Sequence, residues 1–95
     1  MWYEIFLAPD AVADLRRLPG HVRAEVTAAI GKHLRHASSA SSRSRIKKLK
    51  GADHPRYRLR VGEVRVFYDV DEGVVEVIAI VPKSEAADWL ERVGR

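Results

Sequence analysis

Cysteine is absent from this 95-residue chain, which excludes a disulfide framework and thiolate metal sites and fits a reducing compartment. Long apolar runs are absent as well. The longest, Val77 to Pro82, falls far short of the roughly 20 residues a spanning helix needs. No basic segment followed by an apolar one marks a leader, so a cytoplasmic location without a membrane partner is expected. There is no Walker-type loop, HExxH, CxxC or serine-hydrolase elbow. His33 and His36 lie three apart on a helix pattern with no third ligand in view, and His21 falls in a turn, so neither a metal nor another cofactor is expected. No internal repeat or linker interrupts the chain, and its length suits a single domain over residues 1–95.

What is present is organised around Arg56 to Val81, RYRLRVGEVRVFYDVDEGVVEVIAIV. Basic and apolar residues alternate, turn at Val61-Gly62-Glu63, alternate again, turn at Asp71-Glu72-Gly73, and end in a β-branched run. Period two with glycine punctuation predicts a three-stranded antiparallel meander. Strand side chains point alternately to opposite faces, so Arg56, Arg58 and Arg60 share one face and Tyr57, Leu59 and Val61 the other. On the next strand Arg65, Phe67 and Asp69 fall opposite Val64, Val66, Tyr68 and Val70.

Ahead of the meander, Trp2 to Ala8 reads as a strand. Pro9 suits the first turn of a helix, with Ala11, Val12, Leu15 and Leu18 as its apolar stripe and Pro19-Gly20 as its stop. A second helix, from about His21 to His36, carries Val22, Val26, Ala29, Ile30, His33 and Leu34 at helical spacing. Ala37 to Ser44, with five serines, reads as a mobile loop. Ile46 and Leu49 are apolar anchors beneath Lys47, Lys48 and Lys50. After Pro82, Ser84 to Leu90 reads as a short helix with Ser84 as a cap. The expected class is α+β, in the order β-α-α-β-β-β-α. If the first strand joins the meander, the sheet has four strands, with the helical hairpin on one face and the arginines on the other.

Net charge is +4, but Arg43 to Arg65 holds nine Lys or Arg against Asp53 and Glu63, a local +7. Such asymmetry favours a polyanion at one patch, with a solvated basic face as the alternative. Arg58, Arg60 and Arg65 can clamp phosphate bidentately, as lysine cannot. Lys47, Lys48, Lys50 and Arg56 extend the patch, and Phe67 can stack a base. Cleaving RNA requires a base for the 2′-OH, an acid for the 5′-oxygen and cations around the phosphate. Those arginines supply the cations. His54, just before the basic strand, is a candidate acid or base.

Lys48 to Ala86, KLKGADHPRYRLRVGEVRVFYDVDEGVVEVIAIVPKSEA, resembles the core of the RelE/ParE superfamily of bacterial toxins, and more its RelE branch. The shared pattern is a KLKG-like segment, a Y-R-[LI]-R strand, a G-[ED] turn, a [YV]-R-[VL]-[FI]-Y strand and an apolar strand ending in a basic residue. With the preceding β-α-α element it covers nearly the whole chain. The resemblance implies a RelE-like microbial RNase fold and a toxin that an antitoxin holds inactive, which when free cleaves mRNA on the ribosome. Operator DNA would be reached only through the antitoxin. Carried over by position, Arg58 and Arg60 match a basic pair on one strand, Arg65 the arginine that stabilises the transition state, and Lys83 the basic region after the last strand.

The chain departs from the pattern in its proton-transfer groups. Arginine, which stays protonated throughout the physiological range, is no general base where a studied relative has lysines, and Trp89 stands where a tyrosine is usual. Lys83, His54, Glu85 or groups on the ribosome are left for proton transfer. Two other readings compete: a ParE-like inhibitor of DNA gyrase, and a catalytically weak module that only binds its antitoxin. An acidic or amphipathic antitoxin segment would complement the +7 patch. An Arg65→Ala chain is expected to fold and to lose toxicity.

Overall fold

The computed structural model describes residues 2–37, 45–50 and 54–93. Their elements run β1 (Glu4–Leu7), α1 (Pro9–Arg17), α2 (Gly20–Ala37), β2 (Ile46–Lys48), β3 (Tyr57–Val61), β4 (Val64–Asp71), β5 (Val74–Pro82) and α3 (Lys83–Val93). The helical hairpin, the meander and the closing helix follow the expected order. The sheet has five strands, ordered β1-β5-β4-β3-β2, and not four. The extra strand is the Ile46 segment, whose Ile46 pairs with Leu59 and is buried beside it. Three residues, two of them lysine, carry too little period-two signal to read as a strand alone. The serine-rich stretch from Ser38 to Ser44 lies outside the described residues.

Both hairpin turns have two residues. Gly62 has φ +56°, and Glu72 and Gly73 have φ +45° and +78°. Positive φ at both central residues, as at Glu72-Gly73, is what a type I′ turn needs to match strand twist, whereas the Gly62-Glu63 turn has it at the first position alone. Helix α3 begins at Lys83, immediately after Pro82, so Ser84 lies inside it and is not its cap.

One face of the sheet packs on the hairpin. Ala11, Val26, Ile30 and Leu34 bury against Leu59, Val61, Val64, Val66, Tyr68, Val75 and Val77. The opposite face carries a smaller cluster, Phe67, Ala79 and Val81, under Ala86, Trp89 and Leu90 of α3. A bulge makes this division possible. Phe67 pairs with Ala79 but Tyr68 with Val77, which leaves Ile78 as the extra residue. The inserted residue reverses the alternation, so Val75 and Val77 face the hairpin while Ala79 and Val81 face α3.

Strand β1 runs parallel to β5 only from Val74 to Val77. Beyond the bulge, α1 covers the edge of β5, where Asp14 Oδ2 accepts the Ile80 N–H at 2.9 Å in place of a strand partner. Asp14 also pairs with Arg17. Removing the carboxylate leaves a part-buried amide without its acceptor. Asp14→Ala is therefore expected to lower unfolding free energy by about 1–3 kcal/mol. Urea denaturation against an Arg17→Ala control, which removes only the exposed ion pair, checks this. Among the described residues no helix is long and apolar enough to cross a membrane.

Candidate functional site

The pleat and the β3–β4 register place the arginines together. Arg60 is directly opposite Arg65, and Arg58 is opposite Phe67 on one side and Lys47 on the other. All five side chains belong to the face away from the hairpin. Four cations thus occupy neighbouring positions on β2, β3 and β4, where like charges directly across a ladder oppose folding.

Arg58 carries the strain of this arrangement. Its Nε is buried with no hydrogen-bond partner among the described residues. Burial first, and then the positive charges of Arg65 and Arg60, lower its pKa from the ordinary guanidinium value. A cation that is desolvated, crowded by like charge and left with an unpaired donor gains on all three counts when an anion arrives.

Arg65 differs from expectation. It is 8% exposed, and its Nη1 donates to the carbonyls of Gly62 at 2.9 Å and Val64 at 3.1 Å. The strand face was read correctly, but the side chain pins the β3–β4 turn as well as contributing charge. Arg65→Ala is thus expected to cost about 1–2 kcal/mol of stability, measured by thermal unfolding, and not to be the silent surface change that alternation alone suggested.

Phe67 is a second correction. It is fully buried and stacked on Trp89, with ring centroids 4.7 Å apart and planes at 17°. It is a core residue beneath α3, and no base reaches it in this conformation. Trp89 is accordingly a packing residue.

The remaining positions divide between two ends of the sheet. Lys83 joins the arginine end, its N–H donating to Glu63 O at 2.7 Å beside the β3–β4 turn. Lys47 belongs with the row. Lys48 pairs with Tyr57 and so falls on the opposite face, and Lys50 is exposed past the end of β2. Arg56 lies towards the other end, where its N–H donates to Asp69 Oδ1 at 2.7 Å. His54 is there too, with Nδ1 2.9 Å from Asp69 Oδ2. Glu85 lines a groove between α1 and α3 with Asp10 and Asp14. The structure therefore brings together Arg58, Arg60, Arg65 and Lys47 near Lys83, while His54 is engaged with Asp69 and Glu85 lines the α1–α3 groove. Among the described residues no group of three or more His, Cys, Asp or Glu is arranged to hold a metal.

The family model for the ParE toxin of type II toxin–antitoxin systems matches residues 5–87. The chain belongs to that family of toxins. Toxin RelE3 of Methanocaldococcus jannaschii is 28% identical to this RelE/ParE-superfamily toxin over 86 residues, covering 90% of this chain and 97% of the relative. The solved RelB-RelE antitoxin–toxin complex from Methanococcus jannaschii superposes with a TM-score of 0.69 at 27% identity, covering 88% of this toxin and 96% of that chain. The RelBE2 toxin–antitoxin complex from Mycobacterium tuberculosis shares the fold, with a TM-score of 0.74 at 20% identity over 86% of this toxin and 92% of that chain. The α+β fold, with three helices against a five-stranded sheet, is thus that of RelE toxin structures.

Proposed function

We propose that this toxin is a ribosome-dependent mRNA endoribonuclease that a cognate antitoxin holds inactive. The observation that carries the reading is Arg58, whose buried Nε has no hydrogen-bond partner among the described residues and whose charge is crowded by those of Arg65 and Arg60. An unpartnered guanidinium donor suits an anion, and the fork of an arginine matches phosphate oxygens. In the proposed reaction the 2′-oxygen attacks phosphorus, the bond to the 5′-oxygen breaks, and a cyclic phosphate and a free 5′-hydroxyl result. Charge accumulates on the phosphoryl oxygens as the bonds exchange, and preorganised cations there contribute most to the rate. Arg58, Arg60 and Arg65 fill that role, with Lys47 guiding the chain of phosphates. Lys83, at the same end of the sheet, protonates the departing 5′-oxygen in this reading. The 2′-OH proton goes to a group of the ribosome, because His54 is engaged with Asp69 at the other end and Glu85 lies in the α1–α3 groove. The antitoxin partner is supported by the RelB-RelE complex, and the reading needs no cofactor and takes place in the cytoplasm.

A second reading, inhibition of DNA gyrase, is favoured by the family model, which is that of ParE. Inducing the toxin without its antitoxin separates the two. Translation should stop before DNA replication, with mRNA cut only where ribosomes stand. Replication stopping first, with intact mRNA, overturns the nuclease reading.

A further inference from the structure

The sheet face that carries the arginines changes sign along its length. At the end away from Arg60 and Arg65, strands β1, β4 and β5 present Phe6, Val74, Glu76, Asp69 and Asp71, and with His54 and Glu72 they line a hollow of about 430 Å³. Helix α3 covers Phe67, Ala79 and Val81 and leaves this end open. Phe6 is 56% exposed and Val74 39%, so an apolar floor lies uncovered inside an acidic rim.

The register makes the rim unfavourable on its own. Asp69 stands directly opposite Glu76, Asp71 opposite Val74, and Phe6 beside Glu76 on the other flank. Like charges directly across a ladder repel. Asp69 is compensated by His54 and by the Arg56 N–H. Among the described residues no cation pairs with Asp71, Glu72 or Glu76. An exposed large apolar side chain rimmed by unpaired charge of one sign is the pattern of an interaction surface.

We propose that this hollow docks a basic, amphipathic peptide segment of a partner protein, which lays a large apolar side chain on Phe6 and Val74 and sets Lys or Arg against Asp71, Glu72 and Glu76. Charge complementarity chooses this occupant. A nucleic acid is repelled by the carboxylates, and an acidic segment belongs to the arginine end. The surface is therefore a second interface of opposite sign to the first, independent of the RNA reading, and a partner that engages both must carry charge of both signs in separate segments.

Three synthetic helical peptides of equal length test this by titration into isotope-labelled toxin, followed by amide NMR: one with leucines flanked by Lys and Arg, one with the same leucines flanked by Glu, and one basic with serine for leucine. The basic leucine peptide should shift the amides of Phe6, Val74 and Glu76. Its affinity should fall about tenfold or more in the doubly substituted Asp71→Lys, Glu76→Lys toxin and on raising salt. Phe6→Ser, checked for folding by circular dichroism, should weaken it similarly, and the serine peptide should bind weakly. Arg58→Ala should leave binding unchanged while removing toxicity, so failure here and failure of the nuclease reading are separate results. The double charge reversal is at exposed positions and decides the question if Phe6→Ser unfolds. Equal binding by the acidic peptide, binding that survives the charge reversal, or shifts of the same amides on concentrating the toxin alone, which would mean a second copy occupies the hollow, each overturns the proposal.

Discussion

Arg58→Ala should remove toxicity while leaving the protein at least as stable as its parent. The two effects have opposite signs because one side chain serves function at the expense of the fold. Its Nε is buried without a hydrogen-bond partner among the described residues, and Arg65 and Arg60 add like charge to a group already desolvated. Leaving such a donor unpaired costs about 1–3 kcal/mol, and truncation to alanine relieves that and the repulsion together. The loss of packing by the aliphatic stem offsets part of the gain, so the net change in unfolding free energy should lie between zero and about +1 kcal/mol. Activity should move much further. Losing one preorganised cation at a developing oxyanion typically lowers the rate by about 10²–10³-fold, and mRNA cleavage on programmed ribosomes should fall by that order. Arg58→Lys, which keeps a charge but not the two-pronged donor, should recover only part of it. A melting temperature that drops by several degrees in Arg58→Ala, with cleavage unaffected, would make the row a structural element and remove the basis of the proposed reaction.

Much of this arrangement was readable from residues alone. Basic and apolar residues alternate from Tyr57 to Val61 and from Val64 to Val66, and a strand's period of two leaves no freedom about which side Arg58, Arg60 and Arg65 take once Leu59 and Val66 are buried. The two-residue turns were equally legible, since Gly62 and Gly73 sit where positive φ is needed. Three things were hidden, the first two because they depend on how separate strands pair and the third because it depends on how the chain folds back at a turn. Strand β2 is a strand only because β3 offers Leu59 an edge for Ile46 to join. The bulge at Ile78 falls within VVEVIAIV, where every residue but one is apolar and no pattern reveals a change of phase. Arg65 looks like its exposed neighbours by alternation, and only the return of the β3–β4 turn over it brings the carbonyls of Gly62 and Val64 within reach. The acidic end of the face was missed for a related reason. The β4–β5 hairpin sets Asp69 opposite Glu76, but Phe6 is far from both in the chain, and only the parallel pairing of β1 with β5 brings it beside them.

The hidden bulge also decides what Phe67 is for, and gives the second large effect. Reversing the phase of β5 turns Ala79 and Val81 towards α3, and with Phe67 they form the floor on which Trp89 lies. Phe67→Ala should therefore cost about 3–5 kcal/mol, a large part of the roughly 5–15 kcal/mol that holds a domain of this kind. Much of the protein should be unfolded at 37 °C. Trp89 is only half-buried, so Trp89→Ala should cost less, and the two changes should couple by about 0.5–1.5 kcal/mol in a double-mutant cycle, the usual value of a stacked aromatic pair. Phe67→Leu separates packing from recognition. Leucine refills most of the volume at a cost of about 1.5 kcal/mol or less but has no π-face to offer a base. If Phe67 is purely a core residue, the Leu variant should fold, bind a short single-stranded RNA as the parent does, and retain its toxicity. A stable Phe67→Leu protein whose RNA affinity falls tenfold or more would instead require α3 to lift from the sheet during binding and expose the ring to a base.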